Sequence, residues 1–262
     1  MRPNGLREAW AQDRAALGGW LTIPSGFSAE IMANAGFDWV CVDTQHGVID
    51  YQQMVGMLQA VSATDVTPLA RVPWNEPGII GKTLDAGARG VIIPMVNSVA
   101  EAEQAVRACR YAPEGARSYG PLRATYYAGS DYYEHANADV LCIVMIETKE
   151  AVAHVDAILS VPGIDAVYIG PADLSITLGL LPAPAQESAI FNDALTRVVE
   201  SCHAHGVVPG IAGNRTTAPL RIEQGFRLVE VASDSGLLAI GAGEALKAVA
   251  PEHRATSRSA YL

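Results

Sequence analysis

Short apolar runs, several of them rich in β-branched residues, recur along this chain. The segments between them repeat their apolar residues at a spacing near 3.6. The runs predict strands over 19–24, 38–46, 67–73, 90–96, 141–147, 166–170, 207–213 and 227–234. The intervening pattern predicts helices over 28–36, 51–63, 77–87, 98–110, 148–160, 187–206, 216–225 and 236–250, after a short N-terminal helix. Several of these helices open on Ser or Thr and stop at Gly, as caps do. Strand and helix in strict alternation imply right-handed crossovers and a parallel sheet. Eight such units make an α/β chain that closes as an eight-stranded (β/α)8 TIM barrel. An open doubly wound sheet is the alternative, but no GxGxxG follows the first strand.

Composition narrows this further. At 262 residues and 50% hydrophobic, the chain suffices for one barrel over 1–262, ending in the polar tail "HRATSRSAYL". No linker or low-complexity tract divides it. A net charge of −10 argues against a nucleic-acid partner, since phosphate binding draws on clustered Lys and Arg. The apolar runs fall far short of the roughly 20 residues a membrane span needs, and no signal-peptide pattern opens the chain. Cys41, Cys109, Cys142 and Cys202 form no CxxC pair, and a reduced, cytoplasmic setting follows.

In such a barrel, chemistry gathers at the C-terminal ends of the strands. There the sequence places His46, Arg71, Glu147 and Asp173, with Asn214 and Asp234 on the last two strands. Glu147 ends "LCIVMIE" and Asp173 follows "AVYIGPA", on neighbouring strands about 4.8 Å apart. Two carboxylates that close favour a cation between them, and a hard ion such as Mg²⁺ or Mn²⁺ prefers oxygen ligands. The competing reading is that each acid only caps the next helix. After Gly170-Pro171, the amides of Ala172 and Asp173 could form a concave anion site. His46 is a candidate general acid or base, with Asp43 three residues before it. Arg71 suits a carboxylate or enolate oxygen, its alternative being a salt bridge to Glu147 or Asp85. Arg123 is open between substrate pocket and packing. The three lysines, Lys82, Lys149 and Lys247, all fall on helices, so no Schiff-base amine faces the barrel interior.

The blocks "GFDWVCVDTQHG", "ARVPWNEPGIIGKTLDAGARGVIIPMV", "VMIET", "YIGPADLS" and "PGIAGN" resemble the HpcH/HpaI family of metal-dependent pyruvate aldolases over about 18–248. The resemblance implies an aldolase that cleaves or forms 4-hydroxy-2-oxo acids, with pyruvate as the enolate nucleophile and an aldehyde as electrophile. It implies Glu147 and Asp173 as ligands of Mg²⁺, Mn²⁺ or Co²⁺, and Ala172 and Asp173 amides on the pyruvate carboxylate. Arg71 would steady the enolate oxygen. His46 would move protons, supported by Asp43 and by Asp85 from its own or an adjacent subunit. It also implies exchange of the last helix between subunits in a homo-oligomer, usually a hexamer. Gln45 stands where relatives often carry Glu, "RSYGP" replaces an RGVG-like stretch and places Ser118 and Tyr119 by the pocket, and Ala212 stands where some carry Leu. These changes bear on the aldehyde half of the pocket, where Trp20 is open between pocket wall and core. A related CoA-thioester lyase and a non-catalytic 2-oxo-acid-binding barrel are the competing functions.

Overall fold

A computed structural model describes residues 3–183 and 186–250; the expected polar tail lies outside them. The eight strands are β1 (Ala16–Leu21), β2 (Trp39–Asp43), β3 (Thr67–Arg71), β4 (Gly90–Ile93), β5 (Leu141–Met145), β6 (Ala166–Ile169), β7 (Val208–Ile211) and β8 (Leu228–Ser233). All pair in parallel, each with the next, and β8 closes on β1. β1 starts at Ala16 rather than at 19, because Gly18 and Gly19 pair with their neighbours although they lack the side chains that mark a strand.

Side-chain alternation explains why these runs are apolar throughout. Trp39 and Cys41 of β2 join the cluster inside the barrel, whereas Val40 and Val42 pack outward under the helices. The same holds for Leu141, Ile143 and Met145 against Cys142 and Val144, and for Ala166 and Tyr168 against Val167 and Ile169. A strand covered on both faces needs no polar phase. The barrel interior is aromatic: Trp20 stacks on Tyr168 with ring centroids 5.4 Å apart, and Trp39 meets both rings edge-on. Gly18 makes room for Trp39, since a Cβ there would lie 1.9 Å from its ring. Gly18→Ala is therefore expected to cost about 3 kcal/mol of overpacking, read as a lower midpoint in denaturant with an unchanged slope.

The helices that follow the strands are α2 (Gly26–Ala33), α3 (Tyr51–Val61), α4 (Pro77–Asp85), α5 (Val99–Cys109), α8 (Lys149–Ala153), α9 (Val155–Leu159), α11 (Ala189–His205), α12 (Ala218–Glu223) and α13 (Asp234–Val249). The helix expected over 148–160 is two pieces that meet at His154. Two helices were not foreseen, and a third begins earlier than the capping reading of Asp173 placed it. α6 (Leu122–Ala128) and α7 (Tyr132–Asp139) have no side-chain cap, and α10 (Pro171–Thr177) begins on a Gly-Pro pair that reads as a turn. Pro at N1 fits a helix start equally well, because its missing N–H would have had no partner there.

The underside is closed by α1 (Gly5–Ala11). Leu6 inserts fully buried into the interior cluster, and Asn4 and Trp10 donate to carbonyls just before β4, β5 and β8. Arg7 and Arg110 share Asp165 beside it. α13 is long and apolar, yet it buries only Asp234 and Gly236. Among the described residues, no helix is long and apolar enough to cross a membrane.

Candidate active site

The inward phase of each strand carries on past its last apolar residue. One step beyond the interior cluster it reaches Thr22, Asp43, Arg71, Glu147, Gly170, Ala212 and Glu230. The upper end of the barrel is thus floored by a polar layer. Above it lies a cavity of about 620 Å³, lined by His46, Arg71, Gly170–Asp173, Ala212–Arg215, Glu230 and the α13 residues Leu237 and Ile240, among others.

Arg71 is the most tightly held of these groups. Its Nε and one terminal nitrogen donate to the two oxygens of Asp43 at 2.9 and 2.6 Å. The guanidinium also lies 5.0 Å above the Trp20 ring, whose indole N–H donates to Asp43 at 3.1 Å. Asp43 is 1% exposed and also accepts the backbone amides of Gln45 and His46. Burial opposes its charge, but Arg71, Trp20 and the His46 amide outweigh that and hold it below the usual carboxylate range. The partner of Arg71 is therefore Asp43, not Glu147 or Asp85. Asp43 fixes the backbone that carries His46 rather than its imidazole, which stands exposed at the rim.

Glu147 is 3% exposed. Its Oε1 accepts the Met95 amide at 2.8 Å, and Met95 takes up a left-handed φ of 57° to present it. Backbone strain of about 1–2 kcal/mol for a non-glycine residue is characteristic of functional positions. Gly170 makes room on the other side, where a Cβ would fall 2.6 Å from Oε2. Burial pushes Glu147 up to about 7; the Met95 amide resists this, and the charge of Asp173 adds to it. Asp173 sits in the first turn of α10 and faces the cavity. A buried carboxylate beside a second one suits a divalent cation. Among the described residues no third His, Cys, Asp or Glu gathers with the pair; the pair itself offers the carboxylate oxygens that a hard divalent ion prefers. The residues present fit such an ion.

Ala172 and Asp173 are the second and third residues of α10, so their amides are first-turn donors without a helical acceptor. Ala212 lines the cavity. Other candidates lie elsewhere. Trp20 belongs to the core beneath Arg71 and does not line the cavity. Arg123 donates to Ala86, Leu58 and Ser62 at the far ends of α3 and α4, away from the mouth. Asp85, at the end of α4, is bound by Arg117 at 2.7 Å and does not line the cavity of its own chain. Ser118 is exposed, and Tyr119 packs on the surface with Tyr111 and Tyr133. Asn214 accepts the amides of Thr216 and Thr217 ahead of α12, and Asp234 ties Thr22, Ile23 and Ser28 to α13. Glu230 was missed, although its place two residues after inward-facing Leu228 in "RLVEVASD" was signal enough.

The family model described as HpcH/HpaI aldolase/citrate lyase matches residues 17–240. A protein of Rhizorhabdus wittichii named hydroxypyruvate/pyruvate aldolase is 41% identical over 93% of this chain and 97% of its own. A 4-hydroxy-2-oxo-heptane-1,7-dioate aldolase of Salmonella typhimurium is 39% identical over 94% of each. Among solved structures, an HpcH/HpaI aldolase/citrate lyase family protein from Burkholderia cenocepacia superposes with a TM-score of 0.87 at 34% identity, over 94% of this chain and 99% of that one.

Proposed function

The chain belongs to the HpcH/HpaI aldolase/citrate lyase family, and from that premise we propose how its polar layer works as an aldolase site. The enzyme is a carbon–carbon lyase of 4-hydroxy-2-oxo acids. The observation that carries the finer reading is the buried Glu147 beside Asp173, with Arg71 locked above the barrel core. Glu147 and Asp173 would hold Mg²⁺, Mn²⁺ or Co²⁺, which when bound supplies Lewis-acid polarisation of a 2-oxo acid.

The chain's own groups do the rest. The amides of Ala172 and Asp173 bind the carboxylate of pyruvate. Arg71, unable to leave Asp43, presents its remaining N–H groups where negative charge develops on the enolate oxygen. His46, at the rim, takes the C4 hydroxyl proton in cleavage and returns it to the alkoxide in condensation. The aldehyde lies toward Ala212 and α13, where the wall is apolar. Exchange of α13 between subunits of a hexamer would cover its exposed Leu238, Leu246 and Val249, and in such an assembly Asp85 could serve a neighbour's mouth. Four free, buried thiols agree with a reducing cytoplasm.

The test is proton NMR of pyruvate in D₂O. With Mg²⁺ the methyl signal should fade as the enolate exchanges its protons, and excess chelator should stop the loss. Exchange undiminished in chelator would remove the metal from the reading.

A further inference from the structure

We propose that Glu230 determines substrate specificity: its carboxyl group, on the cavity floor, takes the hydroxyl of a substrate's hydroxymethyl group. This deepens the aldolase reading and rests on it. The hydroxymethyl group could belong to the nucleophile, as in a 3-hydroxy-2-oxo acid, or to the aldehyde, as in a 2-hydroxyaldehyde.

The placement is the first argument. Glu230 follows Leu228 in the inward phase of β8 and lines the cavity shared by Arg71 and His46. Its Oε2 accepts the Tyr168 hydroxyl at 3.1 Å, and the Gly213 amide faces the same carboxyl. Tyr168 is stacked on Trp20, which is bonded to Asp43, so the acid is braced by the groups that brace Arg71. Ala212, also on the cavity lining, is too small to cover it.

Cost is the second argument. A carboxyl on the floor of the cavity loses hydration that one phenol and one backbone amide do not fully restore, and leucine would close the barrel at no such cost. The group keeps partial exposure, and the space it meets is the cavity. Chemistry is the third. Burial lifts Glu230 to about 8, against Tyr168, Arg71 and the Gly213 amide, which pull it down. A carboxyl that still holds its proton at neutral pH donates and accepts one hydrogen bond each, as an alcohol does. A site built to bond a hydroxyl discriminates strongly against the analogue that lacks it.

The experiment compares two ratios of kcat/KM in the Mg²⁺-loaded enzyme: hydroxypyruvate over pyruvate with propanal as common acceptor, and glycolaldehyde over acetaldehyde with pyruvate as common donor. Glu230→Leu is expected to lower one ratio by about 10-fold, the size of one net hydrogen bond, and the ratio that moves identifies which reactant carries the hydroxymethyl group. Glu230→Gln, whose amide still donates and accepts, should keep most of that preference, and Tyr168→Phe should lower it by a smaller factor. If Glu230→Leu does not fold, the contrast between Glu230→Gln and Tyr168→Phe decides. Equal losses on both members of each pair, or ratios that stay put, would overturn the assignment and leave a strut of the fold. The two failures are separable. Wild-type enzyme that exchanges the pyruvate methyl protons while its ratios ignore Glu230 refutes this inference alone; wild-type enzyme that never exchanges them refutes the aldolase reading beneath it.

Discussion

Glu147→Gln is expected to slow metal-dependent proton exchange of pyruvate by about three orders of magnitude, or ~4 kcal/mol of barrier. The substitution keeps the shape that fits beside Gly170 and an oxygen for the Met95 amide, so a loss of this size reports charge and not packing. Thermal melts give an independent reading. A ligand at a hundredfold its Kd stabilises the folded state by about 2.7 kcal/mol, which for a chain of this size is a shift of about 5–10 °C. Wild-type protein should show that shift with Mg²⁺ or Mn²⁺. The variant should melt no lower than wild type without metal, since it no longer buries an acid pushed up to about 7, and should lose most of the shift. A variant that retains both exchange and shift would place the cation elsewhere.

Asp43→Asn should harm stability and activity together. Arg71 and Asp43 side chains are 12% and 2% exposed, and removing one member of such a pair leaves a buried charge, a loss of about 3–5 kcal/mol. The amide also cannot accept both guanidinium bonds, so Arg71 gains freedom to swing and the rate should fall about 100-fold, more in kcat than in KM. Asn remains able to accept the backbone amides of Gln45 and His46, which keeps the loop in place. The decisive measurement is the double variant with Arg71→Gln. Because the two side chains act as one unit, the combined loss in denaturant and in kcat should be well short of the sum of the single losses. Simple additivity in both would show that Arg71 owes neither its position nor its effect to Asp43.

The barrel was legible because period and punctuation agree almost everywhere along the chain. Where they disagree, the sequence misleads for identifiable reasons. The middle of β1 is Gly18, which leaves room for the Trp39 ring, and Gly19, which leaves room for Met32 and Phe37, so its first half carries little strand signal. Gly170-Pro171 is both a turn dipeptide and a good helix start, and only the packing of α10 decides between them. The strand-end residues His46, Arg71, Glu147 and Asp173 could be read directly, since an acid or base closing an apolar run serves no packing purpose. What joins them could not. The Asp43 pairing of Arg71, the Met95 amide on Glu147 and the Tyr168 bond to Glu230 span 28, 52 and 62 positions, and local pattern carries no information about contacts so distant. Arg123, which the sequence leaves open between pocket and packing, donates to carbonyls at the ends of two helices.

The plug formed by α1 has a consequence for traffic through the barrel. With Leu6 seated in the interior and the surrounding carbonyls bonded to Asn4 and Trp10, the lower end offers no exit. Substrate, products, water and the migrating proton must all use the upper opening, past His46 and α13. Departure then has to precede the next arrival. The barrel works as a vessel with one doorway, and everything that enters or leaves crosses it.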